Sequence, residues 1–124
     1  MKHQNYKKGK RGEDIAESYL IKNNFQIIEK NFSNRFGEID IIATKGKHLH
    51  FVEVKLKTGE DFGTPEEMIN KRKLHQIKRI AELFLLKNKT LAVSFPYFQI
   101  DAVCIVLDSL GEVSRLNYYE NLEI

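Results

Sequence analysis

The chain has 124 residues, 42% of them apolar and 30% charged, enough for the core of one ordinary domain and too little for a second of similar size. No apolar run approaches the roughly 18–20 residues that a bilayer span needs. The basic start lacks the apolar stretch of a signal peptide, and the single Cys104 excludes an internal disulfide, so a soluble cytoplasmic protein is expected, with no membrane partner. The net charge of +3 is unevenly spread: residues 1–89 carry 19 Lys/Arg against 12 Asp/Glu, a net +7, and residues 90–124 carry one Arg against five acids, a net −4.

In chain order, residues 1–9 are expected as a flexible basic tail on a single domain spanning 1–124. Residues 13–23 read as a helix, with Ile15, Ala16, Tyr19 and Leu20 at helical spacing. Residues 25–32 and 36–44 read as strands, Lys45-Gly46-Lys47 as the hairpin turn that follows, and residues 48–57 as a third strand rich in β-formers. Thr64, Pro65 and Glu67 form a capping-box start for a long helix to about residue 88, with a break near Lys71–Lys73 allowed for. Strands over 91–95 and 98–107 and a short extended tail complete an α/β fold with a mixed central sheet flanked by helices.

The chemistry concentrates in Gly37-Glu38-Ile39-Asp40-Ile41 and Phe51-Val52-Glu53-Val54-Lys55. Side chains alternate along a strand, so Glu38 and Asp40 share a face, Ile39 and Ile41 the other, and Phe51, Glu53 and Lys55 line up together. One hairpin register brings Asp40, Glu53 and Lys55 close. Ionised groups within apolar strands are costly unless paired or metal-bound. Two carboxylates with waters and a substrate phosphate suit Mg²⁺; the competing reading is an ion pair of Lys55 with Glu53 or Asp40.

Asp40…Glu53-Val54-Lys55 resembles the signature of the PD-(D/E)XK, or restriction-endonuclease-like, nucleases. Together with Lys10-Arg11-Gly12-Glu13-Asp14-Ile15-Ala16, Asn31-Phe32, Gly37-Glu38-Ile39-Asp40 and Phe62-Gly63-Thr64-Pro65, it resembles the YraN family of bacterial predicted endonucleases over about residues 9–88. More distantly the chain is similar to archaeal Holliday-junction resolvases. The resemblance implies a restriction-endonuclease-like fold in which Asp40, Glu53 and the backbone carbonyl of Val54 hold Mg²⁺ or Mn²⁺. Lys55 would orient or help deprotonate the attacking water, and Glu13 would reach the site from the first helix. The proline that precedes the aspartate in the pattern is Ile39 here, which alters backbone shape and leaves the ligands in place. Symmetric cutting of two strands would take a homodimer.

Several residues keep a plainer reading. An acid in the first turn of a helix is favoured by the macrodipole without any catalysis, and residue 13 is placed there. Glu38 is either a supporting group or a solvated edge charge. Lys10, Arg11, Lys73 and, more weakly, Lys57 are candidate phosphate contacts or solvated charges. His48 and His50 fall on the face away from Glu53, and Asp101 reads as structural. The expected function is metal-dependent hydrolysis of phosphodiesters in DNA, at branched or damaged sites. The alternative is an inactive nucleic-acid-binding module of the same fold acting with a partner.

Overall fold

The computed structural model describes residues 2–123, with side chains from Gly9 onward. Its elements are α1 (Lys2–Lys22), β1 (Gln26–Asn34), β2 (Gly37–Lys45), β3 (His48–Thr58), a 3-10 turn (Pro65–Met68), α2 (Lys71–Lys87), α3 (Lys89–Ser94), β4 (Tyr97–Leu107) and β5 (Val113–Tyr119). The five strands form one mixed sheet in chain order, antiparallel except for the parallel pair β3–β4. The segment between β3 and β4 carries α2 and α3 as a crossover, which a parallel pair requires. No described helix is long and apolar enough to cross a membrane.

Helices cover both faces of the sheet, so the central strands read as near-continuous apolar runs. On one face Leu74, Ile77, Ile80, Ala81 and Phe84 of α2 bury Ile42, Leu49, Phe51 and Ile100. On the other, Ala16 and Leu20 of α1, with Phe25, bury Ile41, Ala43, Val52, Val103 and Ile105. Each such large side chain contributes about 1.5–3 kcal/mol relative to exposure. The result is the restriction-endonuclease-like α/β architecture expected from the sequence.

Several boundaries differ from expectation. Helix α1 starts at Lys2, so the stretch expected as a tail falls within its helical span; Met1 lies outside the described residues. The long helix is split just before Lys71, where a break was allowed for, but its cap is not the one expected. Thr64 caps only the 3-10 turn, accepting from Glu67 N at 3.3 Å, whereas Asn70 caps α2 by accepting from Lys73 N at 2.9 Å. Residues 91–94 are helical rather than a strand, with Phe95 as the C-cap: Leu91 and Phe95, four apart, pack on the α2 cluster while Val93 between them is 81% exposed. The extended tail is a strand, β5, because Leu116 and Tyr118 alternate onto the α1 cluster.

Two polar networks fasten the last strands. Asp101 is fully buried and accepts from Tyr118 Oη, Gln99 Nε2 (2.9 Å) and Asn121 N (2.9 Å), with His50 Nδ1 2.6 Å away. Burial pushes its carboxyl upward, and these four partners together hold it below its ordinary value. Arg115 of β5 bonds Glu66 at 2.7 and 2.9 Å and also holds Glu60, tying the 3-10 turn to the sheet edge. Arg115 above all holds the Glu66 carboxyl down at about 2; burial opposes it, and Tyr119 adds a smaller lowering.

The two caps give a direct test. Asn70→Ala should cost about 1 kcal/mol of stability in urea unfolding, and Thr64→Ala clearly less, because Asn70 starts the five-residue apolar face of α2.

Candidate active site

The site forms where the β2–β3 ladder ends. Register pairs run from Lys45↔His48 to Ile41↔Val52 and go no further. One residue on, Asp40 Oδ2 accepts the Val54 N–H at 2.8 Å, so a side chain takes over from the backbone ladder. The alternation of β2 breaks at the same point. Ile39 packs in the α2 cluster and Ile41 in the α1 cluster, although residues two apart in a regular strand share a face. On β1, Asn31 lies between the pairs Lys30↔Ile41 and Phe32↔Ile39 that flank Asp40, and its φ of 54° is left-handed, while the register shift of this pair of strands lies further along, between Ile27 and Glu29. Ile39 and Ile41 therefore do not share the common face that simple alternation predicts. Asparagine is among the residues that tolerate this conformation most readily.

Glu53 is 5% exposed and faces Asp40. Burial, then a hydrogen bond with Glu53 and its like charge, drive the Asp40 carboxyl far above its ordinary 3.8; the Val54 N–H opposes this only in part. Asp40 beside Glu53 therefore gives up its proton only well above the ordinary carboxylate range. Glu53 Oε2 is buried without a hydrogen-bond donor. Lys73 Nζ from α2 stands 3.1 Å from it, an ion contact by distance whose angles do not make a hydrogen bond. A buried carboxylate oxygen lacking a donor, beside a second carboxylate kept protonated, is a donor set that fits a divalent cation. Among the described residues no three His, Cys, Asp or Glu converge into a closed cage, so the fit is to an open site completed by water and substrate.

Glu13 is brought in by a close helix–strand approach. Gly12 is buried, and a Cβ there would stand 3.2 Å from Leu56 Cβ and 3.5 Å from Val54 Cγ1. The glycine thus lets α1 settle on β3. Because α1 begins at Lys2, Glu13 is mid-helix and the first-turn macrodipole explanation no longer applies. Burial raises its carboxyl most, Glu38 adds to this, and the Asn31 side chain and Lys30 oppose it. Glu13 also adds to the upward push on Asp40. Glu13, Glu38, Asn31, Lys30, Lys10 and Asp14 line a cleft of about 420 Å³ together with Gly9.

The cations are distributed differently from expectation. The alternative ion pair of Lys55 does not form: it follows Glu53 on β3, opposite Cys104, and has no carboxylate within 4.0 Å among the described residues. Lys73 is the counter-ion of Glu53. Lys10 pairs with Asp14 at 3.6 Å, and Lys57 Nζ donates to Phe62 O at 3.3 Å, closing the loop before the 3-10 turn. Arg11 Nη1 lies 3.4 Å from where a Cβ on Gly111 would stand, over the β4–β5 turn. Sequence reasoning missed Asn31 and Gly12 as the devices that position Asp40 and Glu13; their residue types were the available signal.

The raised Asp40 carboxyl has a signed consequence. Its contribution to stability is full below its unfolded value of 3.8 and is lost as pH rises toward the elevated folded value. Asp40→Asn removes the repulsion while its amide still accepts from Val54 and donates to Glu53. At pH 8 and without metal, the variant should melt several degrees above wild type, a gain of at least about 1 kcal/mol. The gain should vanish near pH 4, as calorimetric scans at both pH values would show.

Residues 12–105, which include Glu13, Asp40, Glu53, Lys55 and Lys73, match the family model described as "Uncharacterised protein family UPF0102". Relatives named UPF0102 protein align over nearly the whole chain. The protein of Dictyoglomus turgidum is 43% identical over 113 residues, covering 91% of this chain and 93% of the relative. That of a Nitratiruptor species is 45% identical over 111 residues, covering 90% and 93%. That of Clostridium tetani is 39% identical over 104 residues, covering 84% and 83%. With most of its length matched by the family model and by relatives well above 30% identity, the chain belongs to the UPF0102 (YraN) family.

Proposed function

We propose that the protein is a metal-dependent endonuclease that hydrolyses phosphodiester bonds in DNA. The observation that carries this reading is the Asp40–Glu53 carboxylate pair at the end of the β2–β3 ladder, in which the buried Glu53 Oε2 is left without a hydrogen-bond donor. Such a pair is a net cost to the fold. A divalent cation turns that cost into binding energy.

Asp40, Glu53 and the Val54 carbonyl would hold Mg²⁺ or Mn²⁺, with Glu13 reaching the site through water. When bound, the ion polarises the phosphoryl group and lowers the pKa of a water. The Asp40 carboxylate is kept in place by the Val54 N–H, so its orientation is set before any ligand arrives. Lys55, uncommitted to any carboxylate, orients the attacking water and stabilises negative charge developing on the phosphoryl oxygens. Lys73 supplies the positive charge beside Glu53 in the metal-free protein and competes there with an incoming cation.

A labelled panel of single-stranded, duplex, flap and four-way DNA, with RNA as comparison, should be cut in Mg²⁺ or Mn²⁺ and left intact in chelator. Lys55→Ala and Asp40→Asn should each lower the rate by at least about a hundredfold, the scale of losing one electrostatic or proton-transfer group. Salt-sensitive binding without cutting in any preparation would favour the inactive binding module instead. A second measurement isolates the metal: Lys73→Gln should bind Mn²⁺ several-fold more tightly by calorimetry, and Glu53→Gln should abolish binding.

A further inference from the structure

Away from the carboxylates, the tip of the β1–β2 hairpin meets α2 in an arrangement that the nuclease reading leaves unused. The Phe36 ring carries two guanidiniums, with Arg35 Cζ 5.0 Å and Arg79 Cζ 4.4 Å from its centroid. Both arginines are exposed, and neither has a carboxylate within 4.0 Å among the described residues. Glu82 lines the adjoining cleft of about 290 Å³ but forms no ion pair with them. Two like charges on one ring repel each other, and the contact with the ring holds both cations while leaving their N–H donors free for an anion.

The tip is also rigid. Phe36 N donates to Asn34 Oδ1 at 2.9 Å, and Gln76 Nε2 of α2 donates to Phe36 O at 2.8 Å. Gly37 has φ +136°, and a Cβ there would come within 2.5 Å of Gln76 Nε2, so only glycine allows this anchoring. Three local constraints thus hold a pair of solvent-facing cations where the hairpin tip meets the basic helix α2.

We infer that Arg35 and Arg79 form a phosphate seat for the nucleic-acid backbone, separate from the carboxylate site and gripping the same strand. Two routes through the fold give the spacing. Along β2, Gly37 to Asp40 is three residues, about 10 Å; along α2, Lys73 to Arg79 is six residues, about 9 Å. With a rise of about 3.4 Å per nucleotide in a duplex strand, the seat engages backbone two to three nucleotides from the bond held at Asp40 and Glu53. The spacing rests on the nuclease reading; the seat itself does not.

The test is binding of labelled duplex DNA in chelator, where no strand is cut, followed by fluorescence anisotropy from about 50 to 200 mM salt. Arg35→Gln/Arg79→Gln should make the log–log salt slope shallower by about 1.8, two contacts at about 0.9 each, and weaken binding at about 0.1 M salt by tens of fold. Lys22→Gln/Lys87→Gln removes two exposed charges at the far ends of α1 and α2 and should change the slope little. Equal losses in the two double variants would overturn the seat, since net charge alone would then explain them. Absence of binding by the wild type would overturn it too. Melting temperatures check that both variants fold, and Arg35→Lys/Arg79→Lys, which keeps the charge, should retain the slope. A protein that shows the slope change yet never cuts DNA would keep the seat and lose the nuclease.

Discussion

Two aspartates lie two strands apart in one sheet, Asp101 fully buried and Asp40 partly so, and they experience opposite surroundings. Asp101 on β4 has four hydrogen-bonding partners, and its carboxyl is held below the ordinary range. Asp40 on β2 has one backbone N–H, a second carboxylate beside it and a third in Glu13 nearby, and its carboxyl is pushed far above. The difference is not burial, which acts on both, but the supply of donors. Asp101 is finished as a structural element. The pair at Asp40 and Glu53 is left electrostatically incomplete, and the arrangement of the surrounding elements follows from accommodating it.

That accommodation is local and inexpensive in residues. A left-handed Asn31 sits on β1 between the pairs that flank Asp40, and the ladder with β3 stops one step short, so that Val54 can donate to the aspartate. Gly12 spares a Cβ that would crowd Leu56 at 3.2 Å where α1 settles on β3, and Glu13 beside it lines the cleft. Lys73 reaches down from the first turn of α2 to neutralise Glu53 without satisfying its oxygen. Each device lowers local regularity to place one charged group. The apolar layers beneath α1 and α2 absorb that loss of regularity, because they pack the same sheet from both sides.

Much of this was legible along the chain. The three strands from residue 26 to 58, the turn at Lys45–Lys47 and the nearness of Asp40 to Glu53 follow from period-two patterning and a tight turn, which are interactions between chain neighbours. The helix expected across 64–88 was right in its apolar face and in the break allowed for near Lys71, and wrong only in taking Thr64 as the cap of the long helix. Thr64 and Asn70 are both good capping residues, and only packing of the 3-10 turn under Arg115 separates them. Residues 91–95 fit a strand and a helix equally, since Leu91, Val93 and Phe95 alternate while Leu91 and Phe95 are also four apart. Exposure of Val93 decides for the helix.

By itself the sequence determined the α/β class, the carboxylate-bearing hairpin and the basic character of the first 89 residues, because these depend on composition and short-range periodicity. Tertiary structure decided which cation meets Glu53. Lys55, two residues away, was the natural candidate, yet Lys73, twenty residues away, is the one in contact. It decided that Glu13 lies mid-helix, that Arg35 and Arg79 meet on one ring and that β5 closes the sheet. Those outcomes depend on contacts across long stretches of chain, and no local pattern encodes the distance between residues brought together by a crossover.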